Sequence, residues 1–134
     1  MRILIDTNIL VSASMSRTGT PYLAFAKAVS YPNQGIVCDQ NIDELRRVYN
    51  RKFPDMLDSL QEFLAFAMPV LEVIQTPTLD LDIEAKIRDI SDRPILRAAI
   101  AADVEAILTG DNDFLESGIK KPRIIAPAEF VSGY

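Results

Sequence analysis

The 134-residue chain has no histidine, no tryptophan, one cysteine and five glycines. Without histidine there is no Ser-His or Cys-His nucleophilic catalysis, no imidazole general base and none of the usual zinc catalytic sites. A single thiol cannot form an internal disulfide and fits a reducing, cytoplasmic setting. Cys38 ends the apolar run Gly35-Ile36-Val37-Cys38, where it reads as a small buried hydrophobe rather than a nucleophile. Long hydrophobic runs are also missing. The longest, residues 67–74, is broken by Pro69 and Glu72, so no membrane span is expected. Met1-Arg2-Ile3-Leu4-Ile5 runs at once into Asp6, which is too short and too soon acidic for a signal peptide. Positive charge is in deficit, with 14 bases against 19 acids and a formal charge of −5. That balance does not suit a passive nucleic-acid binder, an objection that weakens if some acids converge on a divalent cation. Chemistry is left to carboxylates, hydroxyls, lysines, arginines or a bound ion.

What is present suits one globular domain spanning residues 1–134, with 49% apolar and 25% charged residues. Residues 2–5, 35–38, 70–74, 106–109 and 123–125 read as short buried strands. Helical patterns lie between them: residues 21–29, 39–49, a helix opened by Pro54-Asp55, residues 95–102 after Asp92-Arg93-Pro94, and a closing helix at 127–131. The polar stretch 76–90 reads as loop plus a helical piece. Strands alternating with helices predict an α/β fold whose parallel sheet is covered on both faces.

Sites in such sheets lie beyond the carboxyl ends of the strands, and that rule sorts the acids. Asp6 directly follows the first strand, Asp39 the second, and Asp111 closely follows the fourth. Glu44 lies one helical turn beyond Asp39, and Asp92 opens the helix leading into the fourth strand. Helix geometry puts Glu44 roughly 110° from the centre of the apolar stripe and Asp43 about 150° away, so Glu44 leans toward the sheet edge. Plainer roles compete. Asp39 reads as a helix N-cap, Asp92 could be only a cap, and Asp111-Asn112-Asp113 could be a turn. Asp6 is harder to explain away, because an unpaired acid at the end of an apolar strand is costly. Carboxylates gathered at one point repel unless some protonate or a cation joins them. With no histidine, an all-oxygen site suits Mg²⁺ or Mn²⁺ and metal-assisted phosphodiester chemistry.

The segments Ile5-Asp6-Thr7-Asn8-Ile9-Leu10-Val11-Ser12, Glu44-Leu45-Arg46-Arg47-Val48, Asp92 before an alanine-rich helix, Leu108-Thr109-Gly110-Asp111-Asn112-Asp113-Phe114-Leu115 and Pro127-Ala128-Glu129-Phe130 resemble, in order, the PilT N-terminal (PIN) domain. The resemblance spans nearly the whole chain and is closest to the toxin branch of toxin–antitoxin systems. It implies a three-layer α/β/α sandwich with a mostly parallel sheet, and Mg²⁺- or Mn²⁺-dependent endoribonuclease activity. By the same resemblance Asp6, Glu44, Asp92 and Asp111 would be the catalytic, metal-binding acids. Asp113 would be an alternate ligand, Asn8 and Thr109 would orient the cluster, and Asp89 would be peripheral. The implied partners are an RNA substrate, a cognate antitoxin and a second copy of the chain.

Bases near the acids could steer RNA, with Arg93 and Arg97 the expected contacts, although a solvated helix face is the commoner meaning of a charge run. The segment 53–70 carries Phe53, Met56, Leu57, Leu60, Phe63, Leu64, Phe66 and Met68, more apolar bulk than a small core needs, and predicts a covered face. Two other functions compete with the nuclease. A degenerate domain could bind RNA or protein without catalysis. An aspartyl-phosphate phosphatase would need a second Asp two residues after Asp6, where this chain has Asn8.

Overall fold

In strand β1 (Arg2–Ile5) Ile3 and Ile5 point to one face of the sheet and Leu4 to the other, and all three are buried. This is the signature of a central parallel strand with both faces covered. The computed structural model describes residues 1–134. Four further strands, β2 (Gln34–Cys38), β3 (Leu71–Ile74), β4 (Ala106–Leu108) and β5 (Arg123–Ile125), join β1 in the order β3-β2-β1-β4-β5. Every pairing is parallel. The three-layer α/β/α architecture follows from the helices. Helices α1 (Thr7–Met15), α2 (Thr20–Ala28), α3 (Asp39–Lys52) and α4 (Leu57–Ala67) cover one face together with α7 (Pro127–Gly133). Helix α5 (Arg93–Ala101) and the short α6 (Asn112–Leu115) cover the other, around Leu4, Ile36, Ile107 and Phe114.

Helix α1 was not legible in the sequence. Thr7, Ile9 and Val11 are β-branched, which favours strand, yet the chain turns helical immediately after Asp6. Two things override the propensity. Asp6 caps the helix, and Ile9, Leu10 and Ala13 recur at helical spacing and are buried. Burying the two larger side chains contributes about 1.5–3 kcal/mol each. The residues 111–113 turn is likewise the start of a helix, α6. Pro94 sits in the first turn of α5, where its missing N–H costs nothing.

Asp39 is not the N-cap expected of it. Cys38 holds that position, and the buried Asn41 side chain reaches back to accept from the Cys38 amide at 2.9 Å. Asp39 instead accepts from the Thr76 amide (2.8 Å) and hydroxyl (2.6 Å), which ties down the chain leaving β3. Asn41 also donates to the Thr7 hydroxyl at 3.1 Å, so the starts of α1 and α3 are joined at the carboxyl edge of the sheet. The segment after β3 contains a 3-10 turn, Asp82–Lys86. It is held by the buried Glu84, whose carboxylate accepts from Arg97 Nε (3.0 Å) and Nη2 (2.8 Å) and from the Leu81 amide (2.6 Å).

At Gly35 the sheet leaves no room for a side chain. A Cβ there would lie 2.8 Å from Val29 Cγ1, 3.1 Å from Leu71 Cδ2 and 3.3 Å from Ile5 Cδ1. Gly35→Ala should therefore destabilise the fold by about 1–3 kcal/mol. Urea unfolding would check this through a lower midpoint at unchanged slope.

Candidate metal centre

Five aspartates meet beyond the carboxyl ends of β1 and β4. Asp6 follows β1 and is 3% exposed. Its Oδ1 accepts from the Thr7 amide at 2.8 Å and its Oδ2 from the Thr109 hydroxyl at 2.7 Å. Thr109 Oγ1 in turn accepts from the Asp111 amide at 3.0 Å. Thr109 thus links the ends of β1 and β4 and fixes the direction of Asp6. Asp111 is the N-cap of α6 and accepts from the Asp113 amide at 2.9 Å. Asp89 caps the 3-10 turn Ile90–Asp92 by accepting from the Ser91 amide and hydroxyl.

Asp92 stands at the centre. It begins α5 but makes no side-chain capping bond, and its Oδ2 is buried with no hydrogen-bond partner. Carboxylate oxygens of Asp89, Asp92 and Asp113 lie within 4.8 Å of one another. Burial pushes the Asp92 carboxyl up to about 8, helped by the Asp111 carboxylate beside it and by the charges of Asp6 and Asp89. Burial likewise raises Asp6 to about 6, against the Thr109 and Thr7 hydrogen bonds, with Glu44 and Asp111 adding repulsion. Glu44, half-buried on α3, therefore acts on Asp6, while Asp43 is exposed, as the helix arithmetic expects.

The structure thus brings together Asp6, Asp92, Asp111 and Asp113, with Glu44 on the Asp6 side. Three expectations change. Asp89 is not peripheral but one of the three closest acids. Its position depends on the path of residues 76–92, which is set by the long-range Glu84–Arg97 pair and has no local sequence signal. Asn8 is exposed, and no hydrogen bond ties its side chain to the acids; it lies 3.9 Å from the position a Cβ on Gly110 would take. Arg97 is no free RNA contact. Its side chain is 12% exposed and is committed to Glu84, Asp80 and the Pro77 carbonyl. Arg93 spends its Nε on the Ile87 carbonyl.

The residues fit a hard divalent cation. All donors are oxygens, they carry more negative charge than they can hold ionised together, and one buried oxygen lacks a partner.

A PIN domain family model matches residues 2–113. No curated protein matches the sequence significantly. Among solved structures, the fold is similar to a chain in the crystal structure of VapBC2 from Rickettsia felis bound to a DNA fragment from their promoter. The TM-score is 0.70 at 18% identity, covering 94% of this chain and 98% of that one.

The raised carboxyls carry a stability signature. Both hold protons more tightly folded than unfolded, so the metal-free protein has their contribution in full below about pH 4 and loses it as pH rises through about 6 and about 8. No histidine titrates in that window. Metal-free protein should lose a few kcal/mol of stability between pH 5 and pH 8. Asp92→Asn should flatten most of that slope in urea unfolding at each pH. A stability that rises over the same interval would contradict the burial of these groups.

Proposed function

The chain belongs to the PIN domain family, and on that premise we propose that it is a cytoplasmic, Mg²⁺- or Mn²⁺-dependent endoribonuclease, the toxin of a toxin–antitoxin pair. The observation that supports this reading best is the unpartnered, buried Asp92 Oδ2 among four other aspartates. A degenerate binding domain would have no reason to retain that repulsion.

Asp6, Glu44, Asp92 and Asp111 would hold the ion, with Asp89 and Asp113 completing the rim. A bound Mg²⁺ or Mn²⁺ supplies a polarised water and neutralises charge at a phosphodiester undergoing displacement. The protein's share is preorganisation. Thr109 and the start of α1 hold Asp6 in one orientation, α6 holds Asp111, and burial keeps Asp92 out of bulk water. A carboxylate of the same cluster accepts the proton of the attacking water.

The proposed partners fit the surface left uncovered. Leu60, Phe63, Leu64 and Ala67 of α4 are buried, whereas Phe66 near its C-terminal end is 54% exposed and Met56 and Leu57 at its N-terminal end are also exposed. The exposed Phe66 is proposed to lie in a contact with a second copy of the chain. The similar fold from Rickettsia felis was solved as a complex, VapBC2, which supports proposing an antitoxin partner as well. No helix is long and apolar enough to cross a membrane.

Purified protein should cleave single-stranded RNA with Mn²⁺ or Mg²⁺ and stop when EDTA is added. Asp6→Asn should lower the rate at least about 100-fold while leaving the circular dichroism spectrum intact. Full activity of that variant would overturn the assignment. Light scattering should show a dimer for the wild type and a monomer for Phe66→Asp.

A further inference from the structure

Of the arginines on the segment beside the acids, Arg88 is the most exposed. Its side chain is 63% exposed, against 12% for Arg97. Its Nε lies 2.9 Å from Asp113 Oδ1 and its Nη2 2.8 Å from Glu116 Oε2. Arg88 therefore sits on one of the three closest acids of the cluster, next in sequence to another, Asp89. Exposed ion pairs of this kind contribute at most about 1 kcal/mol, so the guanidinium can leave. We infer that Arg88 and the divalent cation are alternative occupants of Asp113, and that the guanidinium displaced by the cation is the phosphate contact of the site.

In the ion-free protein Arg88 supplies the positive charge that Asp113 lacks. A divalent cation on Asp113 takes up that charge and repels the guanidinium, loosening the pair. Glu116 alone, 60% exposed at the C-terminal end of α6, holds it weakly. A planar guanidinium suits the paired oxygens of a phosphate. An acid cluster also needs such a cation at its rim, because its own field repels RNA. The positive charge is thus kept at the mouth of the site in both states, first on a carboxylate and then on substrate.

This rests on the nuclease reading, and its test uses binding rather than turnover. Mn²⁺ affinity of the free protein is measured by calorimetry, and affinity for a labelled single-stranded RNA by anisotropy in saturating Ca²⁺. Arg88→Ala should bind Mn²⁺ roughly threefold to tenfold more tightly, because its competitor is gone. The same variant should bind RNA roughly tenfold more weakly. Arg88→Lys should fall between on RNA, keeping charge but losing the fork. Arg123→Ala, at the opposite end of the sheet, controls for net charge and should move neither value. An arginine that merely braces Asp113 would weaken Mn²⁺ binding on removal, and that result, or an unchanged Mn²⁺ affinity, overturns the inference. Unchanged RNA affinity overturns it equally. Wild-type protein that binds no Mn²⁺ defeats the nuclease reading itself, whereas wild-type binding with an indifferent Arg88→Ala defeats only the role given to Arg88.

Discussion

Mutual repulsion among carboxylates held around a buried aspartate is the constraint on which the site depends. Asp92 is 7% exposed, its Oδ2 has no partner, and Asp6, Asp89 and Asp111 all act on it. Folding alone does not relieve this. The chain holds the acids in place with the rest of its structure and leaves the charge for something else to neutralise. In the metal-free state burial, with the neighbouring charges adding to it, lifts two of the carboxyls above the ordinary range, so protons take up part of that charge. A divalent cation is the better neutraliser near neutral pH, since it satisfies several oxygens at once.

The devices that hold the acids are ordinary elements of folding. Asp6 caps α1, Asp111 caps α6 and Asp89 caps a 3-10 turn, and each cap fixes a carboxylate through backbone amides. For Asp89 and Asp111 the capping bonds go to Oδ1, leaving Oδ2 without a protein donor. Capping and ligation are thus not rival explanations for these residues. The cap supplies the rigidity that ligation requires. Behind the caps, Thr109 joins the ends of β1 and β4, and Asn41 joins α1 to α3, so the edge of the sheet moves as one unit.

Much of this was readable before the structure. Apolar runs ending at Asp6, Cys38 and Thr109, separated by helical patterns, are enough to place a parallel sheet and its carboxyl edge. Helical period alone placed Glu44 toward the site and Asp43 toward water. What was hidden depends on contacts distant in sequence. The β-branched start of α1 looks like strand until the sheet offers it a surface to cover. Asp89 joins the cluster only because Glu84 and Arg97, 13 residues apart, fold the intervening chain back. The same pair takes up Arg97 and leaves Arg88 exposed beside the acids, an exchange no spacing rule conveys. Asp39, the most conventional cap by sequence, spends its carboxylate on Thr76 instead because β3 ends beside it.

The proposed function requires these acids to share a hard cation and to hold a proton in its absence. Calorimetric titration of metal-free protein with Mn²⁺ at pH 7, repeated in buffers of different ionisation enthalpy, counts protons released on binding and tests the claim most directly. Binding should be saturable, with release of about one proton per chain drawn mainly from Asp92, and Asp92→Asn should lose both. A folded protein that takes up no Mn²⁺, or takes it up without releasing protons, would contradict the claim.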